Sequence, residues 1–97
     1  MKRLKFKAKL WRWPGEKAAW HFVSVPKAES AKIGKEIKVK RGWGSVRVRA
    51  KIGGSTFDTS VFPDKKSGTY LLPVKASIRR MEGLEHGDTV DVILDLK

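Results

Sequence analysis

Apolar and polar positions alternate strictly at the start of the chain. Leu4, Phe6, Ala8 and Leu10 are separated by Lys5, Lys7 and Lys9. A period of two puts successive side chains on opposite faces of a half-buried strand. Trp13-Pro14-Gly15-Glu16 supplies a turn. Trp20 to Val25 is expected as a second strand, with Trp20 and Phe22 in the core and His21 packed against the barrel wall. Pro26 suits the first turn of a helix, where its missing N–H needs no partner. Lys27 to Ile33 would be that helix and Gly34 its stop. The pattern weakens over Lys35 to Gly44. There Ile37 and Val39 suggest a short edge strand guarded by lysines, and Gly42-Trp43-Gly44 a flexible element carrying one ring.

The next segment predicts a hairpin. Val46, Val48, Ala50 and Ile52 alternate with Arg47, Arg49 and Lys51, and Gly53-Gly54 is a two-residue turn signal. A loop of those two residues fixes the register. Ala50 then faces Phe57, Val48 faces Thr59, Val46 faces Val61, and Arg49 lies opposite Asp58. Arg47 and Lys51 fall opposite Ser60 and Thr56. Pro63 to Gly68 reads as a polar loop and Thr69 to Leu72 as a strand. Pro73 opens a helix to about Met81, closed by Gly83, with Leu84 tucked back. His86-Gly87-Asp88 is a turn with a solvated histidine. Thr89 to Leu96 is the last strand, with Val90, Val92, Leu94 and Leu96 inward. Strand, proline and helix follow one another twice, in FVSVPKAESAKIG and YLLPVKASIRRMEG, with the prolines 47 residues apart. Identity between the two is slight, which leaves coincidence and internal repeat both open. The elements together predict an all-β fold, a barrel of six to seven strands with two short capping helices, as one domain over residues 1–97.

The segment LPVKASIRRMEGLEHGDTVDVIL resembles the strand–helix–turn–strand unit of AbrB/MazE-type swapped-hairpin proteins. The whole chain more closely resembles a bacterial and archaeal domain family of unknown function. The shared anchors are Trp20, Phe22, Val23 and Pro26, Gly44 to Val48, Phe62-Pro63, Tyr70 to Val74, and Gly87 to Val90. The resemblance covers about residues 4–96 and implies a single-chain double-split β-barrel capped by two helices. It brings no catalytic residue and no ligand. A single chain holding both halves loses the dimer symmetry that matches palindromic DNA, so a monomer is expected over an obligate dimer.

Charge changes the picture by its placement. Residues 1–53 hold 16 Lys or Arg and three Glu; residues 54–97 hold six Lys or Arg and seven Asp or Glu. The halves are +13 and −1, summing to the net +12. All four tryptophans lie in the basic half. Such a half suggests a polyanionic partner, nucleic acid being the commonest. The candidate contacts, for DNA or RNA, are Lys38, Lys40, Arg41, Trp43, Arg47 and Lys51, with Lys5, Lys7, Lys9 and Arg12 as a second stripe. Cations there would neutralise phosphates and tryptophans would stack on bases. Ion pairing is the competing role for the stripe, because Lys5, Lys7 and Lys9 face Asp91 and Asp95 if the terminal strands pair.

Other chemistry is poorly supported. The chain has no cysteine, hence no disulfide and no thiolate nucleophile. His21 and His86 stand 65 residues apart and build no metal motif. No glycine-rich loop feeds a helix start. The expectation is a non-enzymatic protein without cofactor or metal, cytoplasmic, with no membrane span. The alternative is a protein- or small-molecule-binding module, its apolar site at a barrel end lined by Trp11, Trp13, Phe62 and Tyr70.

Overall fold

A computed structural model of the chain describes residues 3–14, 20–36 and 44–96. Among these, six strands and two helices run in the order β1 (Arg3–Arg12), β2 (His21–Ser24), α1 (Lys27–Glu36), β3 (Val46–Ile52), β4 (Ser55–Asp64), β5 (Thr69–Pro73), α2 (Ala76–Glu82) and β6 (Thr89–Leu96). The strands close into a barrel in the order β1-β2-β5-β4-β3-β6, every neighbour antiparallel. Closure removes the free sheet edges at which another chain could add a strand. No helix among the described residues is long and apolar enough to cross a membrane.

The two ten-residue strands bind the barrel together. β1 pairs with β6 over Arg3 to Lys9, then with β2 over Leu10 to Arg12. β4 pairs with β3 over Ser55 to Val61, then with β5 over Phe62 to Asp64. Each long strand is thus divided between sheet I (β1-β6-β3-β4) and sheet II (β1-β2-β5-β4), the double-split arrangement. The order β-β-α-β occurs twice along the chain. Ser24 lies opposite Leu71, and a proline follows each by two residues, Pro26 and Pro73. The strand–proline–helix echo thus coincides with a repeated order of elements around the Ser24–Leu71 pair.

The β3–β4 register is the one the alternation predicts, Val46 opposite Val61 through Ile52 opposite Ser55. Only the first turn glycine, Gly53, has positive φ (59°), the II′ pattern that matches strand twist. The barrel interior takes Leu4, Leu10, Val23, Val25, Val46, Val48, Ala50, Ile52, Phe57, Val61, Tyr70, Leu72 and the four inward residues of β6. Helix α1 contributes Ile33 to that core. The Ser30 hydroxyl binds it to the barrel, donating to the Val25 carbonyl (2.9 Å) and accepting the Tyr70 amide (3.0 Å). Helix α2 buries no residue fully. Ile78 and, beyond its C-terminus, Leu84 rest against the core. Glu82 accepts a hydrogen bond from the Ser55 hydroxyl at 2.6 Å, tying α2 to the β3–β4 hairpin.

Four expectations change. Trp20 and Phe22 are outside the barrel, while His21, Val23 and Val25 are buried. Pairing decides this: Val23 lies between Leu10 and Leu72, both core residues. Pro63 belongs to a strand, because pairing of Phe62 with Leu71 and Asp64 with Thr69 carries the ladder past it. Pro73 ends β5 instead of opening a helix; the next amide, Val74, still donates to the His21 carbonyl (3.0 Å), and α2 starts only at Ala76. Gly34 does not stop α1, which runs to Glu36, since its φ is not in the left-handed region a stop requires. Gly83 does close α2 (φ 64°), with the Leu84 amide donating back to the Arg79 carbonyl at 2.9 Å. The segments holding Ile37, Lys38, Val39, Lys40, Arg41 and Trp43 lie outside the described residues.

Candidate functional site

The outer faces of the two sheets are chemically different. On sheet I the basic stripe and the Arg47–Lys51 strand share one face but are separated by β6. A row across four strands alternates in sign: Arg3 opposite Asp95, Asp95 opposite Arg49, Arg49 opposite Asp58. Arg3 binds Asp95 at 2.8 Å and Arg49 binds Asp58 at 2.9 Å. The Arg3 hydrogen bond and charge hold the Asp95 carboxyl below the usual carboxylate range. Lys7 reaches Asp91 at 3.9 Å. Lys5 and Lys51 flank Ile93 from either side, and Lys9 faces Thr89. Those three lysines form no ion pair among the described residues. The face is a partly neutralised lattice, positive in sum, with surface pairs that each add little stability.

On sheet II the outer face is aromatic. Trp11 lies opposite Phe22, and Phe22 opposite Pro73. One row away, Ser24 lies opposite Leu71, and Leu71 opposite Phe62. The half-buried Trp11 donates its indole N–H to the Ser24 hydroxyl at 3.0 Å. Phe22 is the hub: its ring centroid is 5.4 Å from Trp11, 5.8 Å from Trp13 in an edge-on contact, and 6.4 Å from Trp20 in near-parallel planes. Leu71 points outward yet is buried, because the rings cover it.

A covering layer explains Trp11 and Leu71. It does not explain the rest, for Trp13 is 46%, Trp20 59% and Phe62 37% exposed. Between them runs a groove of about 510 Å³, lined by Trp13, Trp20, Phe22, Phe62, Leu71 and Pro73, with Arg47, Thr59 and Ser60 along one side. Arg47 is held there by a hydrogen bond to the Ser60 hydroxyl (3.3 Å). That bond uses one of its five N–H donors. No Asp or Glu lines the groove among the described residues. Thus, among the described residues, Arg47 on β3 of sheet I is the one candidate cation that lines the groove, standing where the charged face meets the aromatic one.

The remaining candidates fall elsewhere. Arg12 is exposed at the end of β1, its backbone N–H donating to Nδ1 of His86 at 2.9 Å. His86 is therefore exposed but engaged, and not simply a solvated turn residue. Tyr70 is in the core, so the apolar site expected from Trp11, Trp13, Phe62 and Tyr70 is assembled differently. Trp13 and Phe62 do line a groove, with Trp20 and Phe22 in place of Tyr70. The sequence carried a signal for this. Trp20 and Phe22 share their strand face with Ser24, whereas His21 shares its own with Val23 and Val25. Among the described residues no three His, Asp or Glu side chains gather as metal ligands.

A search of curated proteins returned no match. The family model of a domain of unknown function, DUF1905, matches residues 6–94, from the first strand of the barrel through the last. The chain belongs to that family, the domain of unknown function DUF1905.

Proposed function

We propose that this domain is a non-catalytic binder of single-stranded nucleic acid, reading it with little regard to sequence. The observation that carries this is the groove on sheet II, with exposed aromatic rings beside Arg47 on a chain of net charge +12. Bases stack on Trp13, Trp20, Phe22 and Phe62, since every base offers a π face whatever its identity. Arg47 takes a phosphate, and Lys5, Lys9 and Lys51 raise the local concentration of a polyanion from the adjoining face. A duplex hides its base faces within the stack, so it forfeits the aromatic contribution and keeps only the ionic one.

The test is titration of labelled single- and double-stranded oligonucleotides at about 50 and 200 mM salt. Single strands should bind more tightly, and both affinities should fall as salt rises. Absence of binding at the lower salt contradicts the proposal. Duplex binding as tight as single-strand binding would leave the groove without a role. An affinity for some apolar ligand or protein that salt hardly changes would favour a protein- or small-molecule-binding module instead.

A further inference from the structure

The aromatic groove is the middle of three clefts in series. It shares Trp13 with a cleft of about 390 Å³ lined by Arg12, Trp13, Pro14 and His86. It shares Trp20 and Pro73 with a cleft of about 330 Å³ that Val74, Lys75 and Arg79 complete. The two shared tryptophans spring from paired backbone positions, the Trp13 amide donating to the Trp20 carbonyl at 2.8 Å. Each cleft has its own cation: Arg12 in the first, Arg47 in the second, Lys75 and Arg79 in the third. No carboxylate lines any of the three among the described residues. Arg79 is oriented by donating its Nε–H to the Val74 carbonyl (3.4 Å), and the Arg12 amide is fixed by His86.

We infer that the three clefts form one track for a single-stranded oligonucleotide, with one nucleotide in each cleft and Trp13 and Trp20 as dividers between successive bases. The inference rests on the groove being a nucleic-acid site, and it adds a footprint and an end. Each cleft lies toward the lower part of the ~300–1,000 Å³ range of small-ligand sites, which suits one nucleotide and not several. Trp20 lies near-parallel to Phe22 on the groove side, so it divides the two clefts and offers a base its other face. The phosphates fall to Arg12, Arg47 and the Lys75–Arg79 pair. The electrically neutral half of the chain thereby supplies one end of the site, although its net charge gives no sign of it.

The experiment is a length series of 5′-phosphorylated oligothymidylates, from the dinucleotide upward, titrated against the whole domain at several salt concentrations. Affinity should rise to a length of about three nucleotides, below the ~4–16 of other small barrels, and then level. For strands that cover the track, the slope of log K against log salt should be about −2. In Lys75→Gln/Arg79→Gln the slope should shrink by about 0.7, the share of one phosphate, and the levelling should come one nucleotide earlier. Lys75→Gln alone, at an exposed position, should shift both readouts in the same direction if the double variant is poorly folded. Levelling at the dinucleotide, or variants whose slope and levelling match the unaltered protein, would overturn the track while leaving the groove intact. If Trp20→Leu changes binding at no length, the nucleic-acid reading of the groove itself fails.

Discussion

Replacing Trp20 by leucine separates binding from folding. Trp20 is 59% exposed, so of the ~250 Å² a tryptophan can bury, roughly 100 Å² is covered. Leucine keeps the near part of that contact. At ~25 cal/mol per Å² the loss is about 1 kcal/mol, which shifts the melting temperature of a domain this size by about 4–8 °C. The same change removes a stacking face worth roughly 1–3 kcal/mol per base. The dissociation constant should therefore rise about 5- to 140-fold at 1.4 kcal/mol per decade. No cation is lost, so the salt slope should stay where it was. Arg47→Gln should do the converse, reducing the slope by about 0.7. Fluorescence anisotropy of a labelled oligothymidylate across a salt series, with a thermal melt of each variant, reads all three quantities. A Trp20→Leu protein that binds within about twofold of the original, well under the loss of one stacked base, would mean that no base stacks on this indole. A parallel loss of slope would refute the reasoning as well, because it would make the indole an indirect support for cations.

Leu72, fully buried opposite Val23 where β2 meets β5, should cost about 2–5 kcal/mol as Leu72→Ala in urea unfolding. Gly53→Ala should destabilise by about 1–2 kcal/mol, because φ is left-handed and the new methyl meets the Glu82 carboxylate; the same denaturation assay measures it. Asp95, held below its ordinary value by Arg3, contributes stability that is present above the unfolded-state pKa of about 4 and is lost as pH falls through the lower folded value. Thermal melts of Asp95→Asn should accordingly show a weaker acid dependence than the unaltered protein.

How far the sequence could be read depended on which partner fixed each strand. The β3–β4 hairpin was legible residue by residue, because a two-glycine turn pins its register and the apolar set falls on one side. β6 was legible because only Ile93 interrupts its alternation from Val90 to Leu96. β2 was not. Its four strand residues carry mixed character on both faces, and the choice between Trp20–Phe22 and Val23–Val25 is made by β5, some 50 residues away in sequence. The usual preference for burying large aromatics pointed the wrong way. Pro63 and Pro73 misled for a related reason: local chemistry marks proline as a breaker, while long-range pairing on either side overrides it. The site shares this limit. Arg47 and, apart from Phe62, the rings were visible in the composition of the basic half, but the neighbourhood of Trp13, Phe62 and Arg47 exists only once β1 and β4 have crossed from one sheet to the other. Lys75 and Arg79 gave no signal, lying in the half of the chain with no net positive charge.

The proposal that single strands lie on sheet II, and not on the charged face of sheet I, is tested most directly by amide and indole chemical-shift mapping with an unlabelled oligothymidylate at low salt. The indole N–H signals of Trp13 and Trp20 should move, together with amides of Phe22, Phe62 and Arg47. The Trp11 indole, bonded to Ser24, and the amides of Lys5, Lys7 and Asp91 should move little. Shifts concentrated at Lys5, Lys7 and Lys51 with the Trp13 and Trp20 indoles unmoved, or no shifts at all, would contradict it.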